Sequence, residues 1–356
     1  MGNRIDALRN KLREAGADAF VCYSYPNYRY LSGFTGSLAI LIISLDRAII
    51  MSDFRYRTQI AQEVTALDFV EIKGPSEETV FSQIKELKIS KLAFESAHLT
   101  YRHYALLKAI ESLELVPTEN WVEDLRAIKD GSEIELIEKA AWIADAAMEK
   151  ILKEIRPGMT EQAVANSINT FIRSLGGRKE AFDLIVASGP RSAMPHGAPS
   201  DREIQAGESV VIDIGAQFKG YHSDLTRTVW LDKIKSSQVL EIYNIVKDAQ
   251  AAAIGAIRAD MPCVDIDAVA RNRIAEAGYG EQFGHGLGHG VGLEVHEQPT
   301  VSRLGKGSIK PGMVFTVEPG IYIPDVGGVR IEDMVVVTIQ GCRKLTASAN
   351  YFEIGL

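Results

Sequence analysis

Residues 210–229 read VVIDIGAQFKGYHSDLTRTV. Two apolar, β-branched runs flank the segment Gln217-Phe218-Lys219-Gly220, and each run carries one carboxylate, Asp213 or Asp224. The pattern predicts two strands joined by a turn, with Gly220 supplying backbone freedom that other residues resist. Pairing 214 with 223 would set Asp213 directly across from Asp224, with Cβ atoms about 5 Å apart. Two like charges so placed repel each other, and burying them unpaired is costly. A divalent cation between them removes both problems. The competing reading is a surface hairpin with two solvated acids, and the run Val210-Val211-Ile212 argues against it.

A second stretch, 285–297, reads HGLGHGVGLEVHE. Its four glycines disfavour a helix, so His285 and His289 do not form a helical i,i+4 pair. Nor does it match the HExxH pattern of a single-zinc protease. Glycine at this density lets a backbone approach a ligand or another strand closely. Only seven histidines occur, and five of them (196, 222, 285, 289 and 296) fall late in the chain. Glu318 follows the run MVFTV, and Glu332 lies within VRIEDMVVV. Four carboxylates and an imidazole in apolar strands suit Mn(II), Co(II), Fe(II) or Zn(II) better than a thiolate zinc site. Four carboxylates exceed the needs of one catalytic ion, whereas two ions about 3.5–4 Å apart would use them all.

Outward from these motifs, the first third of the chain reads as alternating α/β. Ile5, Leu8, Leu12 and Ala15 recur at helical spacing before Gly16. Strands are expected near 19–23, 38–44, 48–51 and 91–95, and helices near 77–88 and 100–112. The tyrosines at 23, 25, 28 and 30 suit either a core or an interface rim. A boundary is expected between 120 and 132, dividing the chain into domains 1–125 and 126–356. Beyond it, Ser132 with Glu135 fits a capping box for a long helix ending before Pro157-Gly158, and Thr160 opens another. Further helices are expected near 236–258 and 265–277, with strands from 313 onward. His222 is expected beside the acids rather than as a ligand.

Composition excludes several classes. The 356 residues are 46% apolar and 24% charged, an ordinary globular balance. The net charge of −8, without lysine or arginine blocks, disfavours nucleic acid as a partner. The most apolar run, 38–45, is too short to span a bilayer, and the start MGNRIDALRN lacks an apolar signal core. Three widely spaced cysteines make no disulfide framework, so a cytoplasmic location is expected.

Together these motifs resemble the pita-bread metallopeptidases, and specifically the proline-specific branch of aminopeptidase P and Xaa-Pro dipeptidase (prolidase). The stretch from His285 to Glu297 fits the proline peptidase signature. Asp213-Ile-Gly215-Ala216, Gly220-Tyr221 and Ser223-Asp224-Leu-Thr-Arg-Thr228 fit the first acidic motif. Thr316-Val-Glu318-Pro-Gly320 and Arg330-Ile-Glu332-Asp333 fit the last two, and Met194-Pro195-His196-Gly197 fits an upstream histidine motif. Residues 1–126, with Tyr30-Leu-Ser-Gly-Phe34 and Asp53-Phe-Arg-Tyr56, resemble the amino-terminal domain of creatinase and aminopeptidase P.

The resemblance implies an α/β creatinase/prolidase-like domain followed by an α+β pita-bread catalytic domain. It implies two divalent metal ions per subunit, manganese first, with cobalt, zinc or iron as alternatives. Asp213 would chelate one ion, Asp224 and Glu332 would bridge both, and His289 with Glu318 would complete the set. A bridging water or hydroxide would be the nucleophile, with Glu318 also carrying its proton. His285 and His296 would line the proline side, and His196 would lie over the scissile bond. Arg330 would share a strand face with Glu332 and support the ligands. The implied partners are proline-containing dipeptides or short peptides and a second copy of the chain, with neither nucleic acid nor membrane. A methionine aminopeptidase would keep the same five ligands, and some metal-free pita-bread domains serve as protein-binding modules. Neither alternative matches the full set of motifs as well.

Overall fold

The computed structural model describes residues 2–350 and the backbone of 353–354. The chain divides into two compact units, Met1–Arg126 and Ala127–Leu356.

The first unit is α/β. Its opening helix, Gly2–Ala15, buries Ile5, Leu8 and Leu12 and stops at Gly16, which takes a positive φ of 59°. The strand Ala19–Cys22 is buried along its length and lies inside a six-stranded sheet. It pairs antiparallel with Ile40–Ser44 and parallel with Lys91–Glu95. The sheet is therefore mixed, and Val80 and Ile84 of helix Ser76–Glu86 pack into its core. A short helix, Tyr25–Ser32, occupies the tyrosine cluster, and Gly33 closes it in the left-handed region. Tyr28 and Tyr30 are buried in this unit while Tyr25 is exposed, so most of the cluster is core and not a rim.

The second unit is α+β. Its long helix, Gly131–Glu154, begins two residues earlier than the sequence reading placed it. Asp130 is the cap, and the capping box is Asp130 with Glu133 instead of Ser132 with Glu135. An ionised aspartate is the stronger acceptor at a helix start, and the Ser132 hydroxyl donates to it. This helix and Glu161–Ser174 lay Ile143, Met148, Val164 and Ile168 against Val186, Ile212 and Val229 of a four-stranded sheet. The helices Ser237–Ala256 and Cys263–Glu276 pack likewise with Phe315, Val317, Val335 and Val337 of a five-stranded sheet. Among the described residues, no helix is long and apolar enough to cross a membrane.

The central hairpin differs from the expected register. Phe218 pairs with Tyr221, so the turn is the two residues Lys219 and Gly220, at φ 45° and 83°. Two successive positive φ values give the turn whose twist matches the strands it joins. The hairpin is thereby centred one position later. Ile214 faces Leu225 and Asp213 faces Thr226, not Asp224. A shift of two partners preserves the face, so Asp224 becomes a diagonal neighbour of Asp213.

Candidate metal centre

Asp213 lies near the end of the strand Ser209–Ile214, which is buried throughout and follows the apolar pattern of a strand covered on both faces. Asp224 immediately precedes Leu225–Leu231, an equally buried strand. Asp213, Asp224 and Glu332 are all less than a tenth exposed. His289 sits in the short strand Gly288–Gly290, and Glu318 follows Val314–Val317. The glycines make that placement feasible. A Cβ on Gly288 would lie 1.8 Å from the Thr316 carbonyl oxygen, and one on Gly290 would lie 2.1 Å from that of Gln298. The close strand approach expected of the glycine-rich stretch is thus present.

These elements converge on one cleft of about 960 Å³, lined by Asp213, Asp224, His289, Glu318 and Glu332. His196, His285, His296 and Arg330 line the same cleft. Ligand atoms of Asp224, His289 and Glu332 all fall within 4.8 Å of one another. His289 Nε2 is 3.2 Å from Glu318 Oε1 and 3.7 Å from Asp224 Oδ2. His222 is held elsewhere, by Gln217 and the Gly292 carbonyl.

The electrostatics are those of too much negative charge in one place. Burial, then the neighbouring Glu332 and Asp213 carboxylates, push the Asp224 carboxyl well above its ordinary value. Burial and then Glu318 do the same to Glu332. Burial also raises Asp213, against the pull of Arg330. Burial disfavours the charged form of His289, but the hydrogen bond to Glu318 together with the Glu318 and Glu332 charges and the Gly290 carbonyl outweighs it and lifts the ring to about 9. The same contact, working against burial, takes Glu318 down to about 2. The cleft therefore stores a proton on an imidazole beside carboxyls that resist ionisation. Asp213 Oδ1 is buried without a hydrogen-bond partner. Four carboxylates, one of them with an orphaned buried oxygen, and one imidazole form a donor set that fits hard or borderline divalent ions.

Arg330 ends the strand Gly327–Arg330, whereas Glu332 lies in the link to Asp333–Val337, so the two do not share a strand face. Arg330 reaches instead from its two-stranded sheet to the four-stranded sheet that carries Asp213 and Thr226. Its Nη2 donates to Asp213 Oδ2 at 2.6 Å, and its Nε donates to the Thr226 hydroxyl. Thr226 in turn donates to Glu332 Oε2 at 2.6 Å. Arg330 also donates to the Tyr322 hydroxyl at 2.9 Å, and that hydroxyl lies 3.1 Å from His285 Nε2. His285 Nδ1 faces the Gly286 carbonyl, so Nδ1 donates and Nε2 accepts from Tyr322. Burial keeps the His285 ring below its usual value and holds His296 down as well.

Sequence reading missed three supports. Thr226 and Tyr322 act as described. Arg227 is fully buried and donates to the Glu332 carbonyl, the Asp333 carboxylate and the Ser348 carbonyl. Arg227 and Asp333 stand within the quoted motifs, and a charged residue in an otherwise apolar strand is the available signal.

Comparison with known proteins agrees with this geometry. Residues 135–339 match the model of metallopeptidase family M24, and residues 4–128 match the creatinase/prolidase N-terminal domain. The structure is similar to an Xaa-Pro dipeptidase from Bacillus anthracis, with TM-score 0.96, 44% identity and 99% of each chain covered. It is also similar to an X-Pro aminopeptidase from Thermotoga maritima, with TM-score 0.89, 38% identity and coverage of 95% of this chain and 98% of that one. In sequence, the chain is 39% identical to an Xaa-Pro dipeptidase of Pyrococcus horikoshii across 97% of each. The chain belongs to metallopeptidase family M24, with a creatinase/prolidase domain ahead of its pita-bread catalytic domain.

Proposed function

We propose that this metallopeptidase is an exopeptidase that hydrolyses the Xaa-Pro bond of dipeptides foremost, and of short Xaa-Pro peptides. Asp213, Asp224, His289, Glu318 and Glu332 would hold two divalent ions, manganese first. The observation that carries the reading is the convergence of four carboxylates and His289 on the cleft that also holds His196, His285 and His296. Two ions of total charge about +4 would neutralise it. When bound, they would polarise the scissile carbonyl and acidify the water or hydroxide that serves as nucleophile.

The chain's own groups do the rest. A ligating imidazole must be neutral, so the proton that joins His289 to Glu318 leaves when the site fills. Glu318 would be both ligand and proton carrier, its carboxylate taking a proton from the nucleophilic water and passing it to the leaving proline nitrogen. Both nitrogens of His285 are engaged, by Tyr322 and Gly286, so His285 serves as a fixed wall on the proline side. His296 has no hydrogen-bond partner among the described residues, and its neutral ring can donate to a developing oxyanion. His196 lines the same cleft and would lie over the substrate near the scissile bond. An Xaa-Pro bond lacks an N–H, so a site that grips terminus and carbonyl suits it better than one that reads backbone hydrogen bonds.

We further infer a cytoplasmic homodimer. Three free cysteines suit a reducing compartment, and the dimer rests on the resemblance alone. Parallel assays of Ala-Pro, Ala-Pro-Ala and Met-Ala-Ser with Mn(II), Co(II) and Zn(II) test the reading. Cleavage of Ala-Pro and none of Met-Ala-Ser is expected. The reverse result would favour a methionine aminopeptidase. No bound ion and no activity would favour a metal-free binding module.

A further inference from the structure

Residues 283–287, Phe-Gly-His-Gly-Leu, carry His285 into the catalytic cleft and form neither helix nor strand. Two of the five are glycines, whose backbone freedom leaves such a segment without rigidity of its own. One ion pair takes up its backbone groups. On the helix Cys263–Glu276, Arg271 donates from Nε to Asp267 Oδ2 at 2.6 Å and from Nη2 to Asp267 Oδ1 at 2.8 Å. The same guanidinium donates from Nη1 to the Phe283 carbonyl at 2.9 Å and from Nη2 to the His285 carbonyl at 2.7 Å. Asp267 Oδ1 accepts from the Leu287 N–H at 3.1 Å. The Asp267 side chain is 1% exposed and that of Arg271 13%. The guanidinium carbon also sits 4.1 Å from the centre of the Phe283 ring, and that ring meets the His285 ring edge-on at 5.1 Å. His285 is thus fixed at its carbonyl by Arg271, at its ring face or edge by Phe283, and at Nε2 by Tyr322. Neither Asp267 nor Arg271 lines the cleft.

We propose that Arg271, braced by Asp267, is a positioning residue for the peptidase reaction: its fork spans two carbonyls of the 283–287 segment and sets the place of the His285 ring in the cleft. The inference rests on the Xaa-Pro reading for the choice of substrate. A lysine at 271 would keep the charge but not the planar fork, so it could not serve Asp267 and both carbonyls at once. Displacing a substrate-facing group by about 1 Å is enough to cost roughly 100-fold in rate. The residue therefore acts on the chemistry without touching the substrate.

The test is a double-mutant cycle on kcat/KM for Ala-Pro with the same metal throughout. Wild type, Arg271→Met, Arg271→Lys, His285→Ala and the two double variants are compared. With His285 in place, each change at 271 should lower kcat/KM about 10- to 100-fold. In the His285→Ala background the same changes should cost less than about twofold, because the ring that Arg271 places is gone. Mn(II) affinity, read by calorimetry, should be nearly the same in all variants. If Arg271→Met is too unstable to assay, Arg271→Lys leaves Asp267 a partner charge and closes the cycle. An equal loss in both backgrounds would overturn the proposal, as would wild-type activity in Arg271→Lys. A Mn(II) affinity that falls as far as the rate would also overturn it, since Arg271 would then act through His289. If wild type cleaves Met-Ala-Ser and not Ala-Pro, the Xaa-Pro reading alone fails, and the same cycle run on Met-Ala-Ser decides the role of Arg271.

Discussion

Replacing Asp224 by asparagine should make the metal-free protein more stable while removing its capacity to hold two ions. The Asp224 side chain makes no hydrogen bond that an amide would lose, and its residue is 4% exposed. Ligand atoms of Asp224 and Glu332 lie within 4.8 Å. At an effective dielectric constant of about 20, two unit charges at that distance repel by roughly 3 kcal/mol. His289, 3.7 Å away, and Arg330 return part of this, so a net gain of about 1–3 kcal/mol is expected. The sign follows from the direction of the shift. A carboxyl raised in the folded state costs nothing below its unfolded value, and its cost grows as pH climbs towards the folded value. The advantage of the asparagine variant should therefore be absent near pH 3–4 and grow as the pH rises above it. Thermal unfolding of chelator-treated protein at pH 4 and pH 8, with and without Mn(II), reads it. Metal-free Asp224→Asn should melt some 2–10 °C above wild type at pH 8, and the order should reverse with Mn(II). A metal-free variant that melts below wild type at pH 8 would refute the reasoning, because the acids would then be stabilising one another's surroundings.

Three further outcomes follow from the packing. Gly288→Ala drives a Cβ into the Thr316 carbonyl, so it should cost about 1–3 kcal/mol and separate His289 from Glu318, seen as lost stability together with lost activity. Arg227→Met leaves Asp333 without its closest buried cation and frees the Glu332 carbonyl. A loss of about 3–5 kcal/mol is expected, read by urea unfolding through the buried Trp230. Thr226→Val removes the donor to Glu332 while keeping the shape. Metal affinity should fall about 10- to 100-fold by calorimetry, with the melting temperature of the metal-free protein changed far less.

Much of the site was legible because its chemistry is written locally. A carboxylate inside Val210-Val211-Ile212 and a glycine-rich run around His289 are anomalies that a plain core would not tolerate. The hairpin register was not legible, because Lys219 adopts a positive φ that its residue type disfavours and so hides a two-residue turn. The cap choice between Asp130 and Ser132 was a contest between two good acceptors two residues apart. The helix Tyr25–Ser32 carries no periodic signal beyond its tyrosines, and burial of Tyr28 and Leu31 decides it. The contacts of Arg227 and Arg330 join residues more than 100 positions apart, and only the assembled sheets bring them together.

The two helix-and-sheet halves of the catalytic unit each bring part of the proposed ligand set. Asp213 and Asp224 come with the first half, while His289, Glu318 and Glu332 come with the second. A chain emerging from the ribosome thus carries two of the five ligands for a long interval and gains the last only at residue 332. A peptide-cutting centre built across such a seam stays silent in half-made copies. The proposed ligand set would be complete, and able to hold its ions, only once both halves have closed on each other.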